Sequence, residues 1–206
     1  MVSEADMAGA AALCPGASLR YVPNVVDVAA IVPASAPAAE PRAVLVAGFY
    51  YEPNRNGLRF LVEEVFPLVW AQLPDARLRV VGAGLDGRPS EDPRVEALGF
   101  VEDLPAIYAG ARCAVVPLLQ GGGSPLKLIE ALAYGLPVVA TGRAAAGLDV
   151  RDGEHLLLAD DAPRFAAALV RLLGDGAPGL GRRGRELVAQ RYSIDALRSL
   201  LARPPQ

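Results

Sequence analysis

At 206 residues, 52% hydrophobic and 21% charged, the chain is long enough for one or two globular domains with a substantial core. A net charge of -3 and a pI near 5.3 argue against polyanion binding, so nucleic acid is not an expected partner. Two cysteines, Cys14 and Cys113, make neither a disulfide framework nor a zinc site, no apolar run reaches the ~18 residues of a membrane span, and the Met1 segment lacks a basic secretory region. A reducing, cytoplasmic setting fits these features.

In chain order, residues 1–30 carry a helical pattern from about Ser3 to Leu13 and a strand-like "LRYVPN", with no sheet of their own to bury them. The Ala/Pro-rich "IVPASAPAAEPR", Ile31 to Arg42, reads as a linker. From Arg42 onward, short apolar strands alternate with helical patterns. The strands are expected at Ala43–Ala47, Leu78–Val81, Val95–Leu98, Ala114–Pro117, Pro137–Ala140 and His155–Leu158. Helices are expected at Asn56–Gln72, Leu104–Ala109, Pro125–Tyr134, Ala162–Leu173, Leu180–Tyr192 and Ile194–Leu201. Continuously hydrophobic strands are buried on both faces, which defines an α/β fold: a doubly wound parallel sheet covered by helices on each side. One such domain covers residues 41–206, with residues 1–40 as a separate lead-in. Trp70 reads as helix packing and Cys113 as a buried strand residue. His155, the only histidine, precedes a strand and reads as a surface or packing residue rather than a catalyst. Asp149, Asp152, Glu154, Asp160 and Asp161 read as loop and cap residues without the spacing of a metal site.

"VVGAGLDGRPSEDP", Val80 to Pro93, spaces Gly82, Gly84 and Gly87 as a dinucleotide fingerprint, with Glu102 and Asp103 downstream. A nicotinamide-dependent oxidoreductase would need a helix to start there and hold the pyrophosphate. Pro89 and Pro93 remove backbone donors and push their predecessors toward extended conformations, so a turn is expected instead.

The strongest local construction is "PLLQGGGSPLKLIEALAYGLPVVAT", Pro117 to Thr141. Gly121, Gly122 and Gly123 allow close backbone approach, Ser124 suits an N-cap, Pro125 the first helical position and Gly135 the residue after the helix. A helix starting here, after a strand, places its N-terminus at the carboxyl edge of the sheet, where an anion would meet free N–H groups. Along it, Leu128, Ile129, Leu132 and Ala133 share one arc, whereas Lys127, Glu130 and Tyr134 share another. Two readings of that second arc are open: a solvated Lys127–Glu130 pair worth about 0.2–0.5 kcal/mol, or two groups facing a ligand.

This stretch, with "VLVAGFYYEPNRNGLRFLVEEVFPLVWAQLPDARLRVVGAG" and "LGFVEDLPAIYAGARCAVVPL" before it, resembles the carboxyl-terminal domain of family 4 (group 1) glycosyltransferases of the GT-B fold. The resemblance implies a Rossmann-like half that binds a nucleotide-sugar as substrate, with no cofactor and no metal, in retaining sugar transfer within polysaccharide biosynthesis. It makes Glu130 the ligand of the ribose hydroxyls and places Gly48 and Phe49 beside the donor phosphates and sugar. Phe100 and Val101 then flank the base. The diphosphate would lie on the backbone of Gly121, Gly122, Gly123, Ser124, Pro125 and Leu126, with Lys127 and Arg55 as the cations that stabilise the departing nucleotide and Asn54 beside them. "VVGAG" matches a strand end and turn of the family, a structural feature.

The sequence also departs from the family's pattern. Gly122 stands where many members have a second glutamate, Pro125 where a variant has arginine, and Phe49 with Asn54-Arg55 where an arginine and a lysine are usual. These departures motivate a second expectation, a non-catalytic nucleotide-binding or interaction module. "VSEAD" and "VPNVVD" resemble the exit of the family's amino-terminal domain and the interdomain crossing, so residues 1–40 are expected to follow a missing acceptor domain. Any contact with the inner face of the membrane would come through that missing half.

Overall fold

The computed structural model describes residues 4–33, 38–85, 87–121 and 126–202. Six strands form one parallel sheet in the order β3-β2-β1-β4-β5-β6: β1 Arg42–Val46, β2 Arg77–Val81, β3 Val95–Gly99, β4 Cys113–Val116, β5 Val138–Ala140 and β6 Leu157–Leu158. The inner strands are almost wholly buried because both faces are covered: all four residues of β4 and all three of β5 are inside. Cys113 lies among them as expected, and burial pushes its thiol up to about 12, which leaves it unreactive.

Alternation along the strands divides the core in two. Ala43, Leu45, Leu78 and Val80 pack with α2 Glu52–Phe60, α3 Phe66–Trp70 and α7 Ala162–Leu173 on one face. Val44, Ala114, Val116 and Ala140 pack with α4 Leu104–Ala109, α5 Leu126–Ala133 and α8 Leu180–Arg191 on the other. The doubly wound architecture read from the sequence is thus present, and the strand order reverses between β1 and β4.

Local chemistry explains where the elements begin. Asp103, Asp161 and Ser193 accept backbone N–H bonds from Ala106, Arg164 and Ala196 and so cap α4, α7 and α9 Ile194–Leu201. The long helix expected from Asn56 instead begins at Glu52, with Tyr51 extended before it and Pro53 in its first turn, so Asn54 and Arg55 are helical rather than loop residues. It runs as α2, a π turn at Leu61–Val65, and α3. Pro67 has no N–H to offer the preceding turn, and the Phe66 N–H reaches back to Leu61 O. Trp70 packs against Phe66 and donates to Ala76 O at 2.9 Å. A short helix unexpected from the sequence, α6 Gly142–Ala145, is capped by Thr141.

Residues ahead of the sheet include α1 Glu4–Leu13, but "LRYVPN" forms no strand. Beyond it, Val26 makes an isolated bridge to Ser193, and Arg185 donates to the carbonyls of Val28, Ile31 and Ala133. Residues 26–31 are thereby tied to the carboxyl-terminal helices. The His155 ring accepts the Arg151 N–H at 3.1 Å, a packing role, and keeps Asp152 to His155 in a turn that shortens β6. Asp152, Asp160 and Asp161 each accept backbone N–H groups, as loop and cap residues do.

Candidate functional site

The reversal of strand order opens a crevice between the carboxyl ends of β1 and β4. Its first wall is the turn after β1. Ala47 N–H donates to Val81 O at 2.9 Å and Phe49 N–H to Ala83 O at 2.7 Å, pinning the turn to the end of β2. Gly82 is the partner in this contact: at φ 140° a Cβ on it would stand 1.7 Å from Ala47 O. Its glycine serves strand packing, and no helix follows it; the next element is β3 at Val95. The fingerprint spacing therefore builds no dinucleotide site.

Within the turn, Gly48 is exposed, with nothing within 4 Å of where a side chain would begin. Phe49 is different. Its ring is fully buried in the core, so only its backbone can border the crevice, and its carbonyl is already taken by Arg55 Nη1. Any part of Phe49 in donor binding therefore falls to its backbone, beside the exposed Gly48.

The second wall is the β4–α5 connection. Thr141 Oγ1 donates to Leu118 O at 2.6 Å and holds its start, while Gly121, at φ 96°, packs against the Tyr51 hydroxyl. Gly122, Gly123, Ser124 and Pro125 lie outside the described residues. α5 then begins at an exposed Leu126 and buries Leu128, Ile129, Leu132 and Ala133. Lys127 and Glu130 are half-buried.

The two walls meet through α2. A Cβ on Gly57 would stand 2.2 Å from Pro117 O, so glycine lets α2 press against the end of β4. That approach brings Asn54 to Lys127: Nζ donates to Asn54 Oδ1, and Asn54 Nδ2 donates to Gly48 O at 2.7 Å. Among the described residues no ion pair joins Lys127 to Glu130, which decides against the solvated-pair reading of the arc. Burial alone pushes the Lys127 ammonium down to about 8, and burial raises the Glu130 carboxyl. Lys127 and Glu130 are thus two half-buried charges one turn apart, neither matched by a counter-charge among the described residues.

Arg55, the other cation implied by resemblance, is occupied. Its Nε donates to Glu52 Oε2 at 2.8 Å, a second nitrogen contacts the same oxygen, and a third reaches Phe49 O. Beyond Glu130 lie two aromatic rings that the sequence did not mark as a unit, Tyr108 of α4 and Tyr134 after α5, stacked 4.1 Å apart. Burial first and the Glu130 charge second raise both phenols. Phe100 is 72% exposed at the end of β3, and the half-buried Val101 packs on the α4 side. A separate cavity of about 230 Å³ opens between α2 and Gly84, Leu85, Gly87 and Pro89, lined also by Arg55, Arg59 and Glu63 but by neither Lys127 nor Glu130.

One countable signal went unused in the sequence. Of 20 Lys and Arg residues, Lys127 is the only lysine. A chain that places arginine everywhere else keeps here the compact, titratable point charge that a planar guanidinium does not replace.

Fold and site together define a Rossmann-like α/β domain with a polar crevice at its topological switch point. Residues 40–175 match the family described as glycosyl transferases group 1, and the chain belongs to that family. It is 34% identical over 174 residues to a phosphatidyl-myo-inositol mannosyltransferase of Mycobacterium leprae, covering 77% of this chain and 45% of that protein. The chain thus spans less than half the length of that relative. Among solved structures, TarM superposes with a TM-score of 0.80 at 18% identity, over 98% of this chain and 41% of TarM. Anabaena HepE, in complex with UDP and glucose, superposes with a TM-score of 0.72 at 16% identity, over 89% of this chain and 55% of HepE. Both likenesses establish the shared GT-B, Rossmann-like fold. Among the described residues, no helix is long and apolar enough to cross a membrane.

Proposed function

We propose that the chain is the donor-binding domain of a glycosyltransferase, and that the crevice between β1 and β4 holds a nucleotide-sugar. The observation that carries this reading is the pair of unmatched half-buried charges, Lys127 and Glu130, at the switch point. A protein that leaves an ammonium there without a carboxylate has its charge balanced by a ligand, and a diphosphate is the group that fits one pole. A carboxylate accepting two vicinal hydroxyls fits the other, and the ribose supplies them. In this reading Phe100, exposed at the end of β3, and the neighbouring Val101 flank the base.

In sugar transfer the bond from the anomeric carbon to the diphosphate oxygen breaks and negative charge grows on the leaving nucleoside diphosphate. Lys127 lies where it can stabilise that charge, and no metal is needed for the step if the ammonium and backbone N–H groups supply it. Arg55 plays a lesser part, since Glu52 already neutralises it. Transfer itself, with retention at the anomeric carbon, requires an acceptor domain ahead of residue 41; the relatives' greater length supports this. Activity in polysaccharide assembly, and contact with the inner membrane face through that other half, belong to the same reading.

Calorimetric titration with UDP-, GDP-, ADP- and dTDP-sugars tests it. At least one is expected to bind at micromolar to millimolar concentration; no binding by any of them at millimolar concentration rejects the donor site.

A further inference from the structure

We propose that Asn54 is a positioning residue: it holds the Lys127 ammonium at the crevice while the site is empty and yields it to an anionic ligand oxygen, keeping its own amide on the turn after β1. The first half stands on geometry alone; the second rests on the donor-site reading above.

The amide's orientation follows from its neighbours. An ammonium only donates, so Oδ1 must face Lys127, and Nδ2 then faces a group that only accepts, the carbonyl of Gly48 at 2.7 Å. Both ends are matched, and a flipped amide would mismatch both. The residue's place is equally constrained, since α2 is pressed against Pro117 O at Gly57. Asn54 therefore links the two walls of the crevice across 73 residues of sequence.

A neutral partner has a consequence that a charged one would not. A carboxylate at this position would neutralise Lys127 before any ligand arrived, and an apolar residue would leave the ammonium half-buried without an acceptor. The amide satisfies one donor and leaves the charge intact. Among the described residues, other charged groups nearby do not compete: on α2, Glu52 and Arg55 are paired with each other, and on α5, Glu130 makes no ion pair with Lys127. A loop carbonyl and the catalytic cation are thus set by one side chain that is itself never charged.

Because Lys127 is the only lysine, protein grown with 13C-labelled lysine gives one Cε signal, and its titration by NMR reads this amine directly. The wild type is expected to titrate near 8. Asn54→Asp, nearly isosteric, should move that midpoint up by a unit or more and weaken UDP or GDP binding at least tenfold, because the lysine is already neutralised. Asn54→Ala should move the midpoint down, through loss of the acceptor, and weaken binding several-fold. An asparagine that does not hold the ammonium predicts the wild-type midpoint in both variants and unchanged nucleotide affinity in Asn54→Ala, and that result overturns the inference. A wild type that binds neither UDP nor GDP counts against the donor-site reading, while the ligand-free lysine titration still decides the role of Asn54.

Discussion

The first turns of α2 and α5 face each other across the same crevice, and each carries a cation in it. At α2, Arg55 has an acidic neighbour one turn back and a backbone carbonyl, so its charge is spent within the protein. At α5, Lys127 meets an amide oxygen and, among the described residues, no carboxylate, and burial pulls its ammonium toward neutrality. The contrast lies in the partner sets: two cations at matching helix starts differ in what the protein itself sets against them. On the proposed reading, an arginine closed by its own carboxylate organises a turn, whereas a half-buried lysine without a counter-charge among the described residues is the one free to meet an anion.

The largest effect should come from removing the open charge. Lys127→Met takes away a charge-assisted contact worth roughly 1.5–3 kcal/mol, so nucleoside diphosphate affinity should fall about 10- to 100-fold, read by calorimetry. Folding stability should stay level or rise slightly, because a half-buried ammonium is relieved. Equal affinity in Lys127→Met and wild type would erase the contrast between the two helix starts.

Glu130→Ala is next. Losing the acceptor of the ribose hydroxyls should cost at least ~10-fold in affinity, with a change in stability no larger than about 0.5 kcal/mol. Comparing a nucleoside diphosphate with its acyclic diphosphate counterpart sharpens this: the variant should lose the preference for the ribose.

The pH dependence follows from the same lysine. The free site has its ammonium midpoint near 8, and a bound diphosphate raises it, so binding takes up a proton at and above that pH. Affinity should hold steady below pH 8 and fall toward about tenfold per pH unit above it. For folding the sign is opposite: the lysine's folded-state midpoint lies below its unfolded one, so the protein gains stability from this group as pH rises from about 8 toward the ordinary lysine range. Lys127→Met should flatten both profiles.

Arg55→Ala should have the smallest effect. With Glu52 as its partner the arginine contributes little net charge, and an exposed pair of this kind is worth about 0–1 kcal/mol. A loss of donor affinity below about threefold is expected, and a loss matching that of Lys127→Met would show that Arg55 leaves Glu52 to join the ligand.

Much of the fold was legible because a parallel sheet buried on both faces writes its strands as short, uninterrupted apolar runs. β1, β2, β4 and β5 stand within a residue of the positions read from that pattern. Elements that depend on few residues were not. The start of the first long helix was read from its apolar stripe beginning at Leu58, although Tyr51, Glu52 and Pro53 begin it a turn earlier on the polar side. α6 is too short to show a period, and β6 shrinks because His155 bonds back into the turn before it.

In the site, Lys127 and Glu130 were legible from helical spacing and resemblance. The Asn54–Lys127 contact was not, since nothing local connects residues from different crossovers. The inward turn of the Phe49 ring was not legible for a related reason: a loop residue next to an exposed glycine can still turn its ring into the core.

The most direct test of the central claim is a crystal structure of the chain with a bound nucleoside diphosphate. The account predicts diphosphate oxygens within hydrogen-bond distance of Lys127 Nζ, both ribose hydroxyls on the Glu130 carboxylate, and the base beside Phe100 and Val101. A nucleotide seated instead between α2 and Gly84, Leu85, Gly87 and Pro89, away from Lys127 and Glu130, would contradict it.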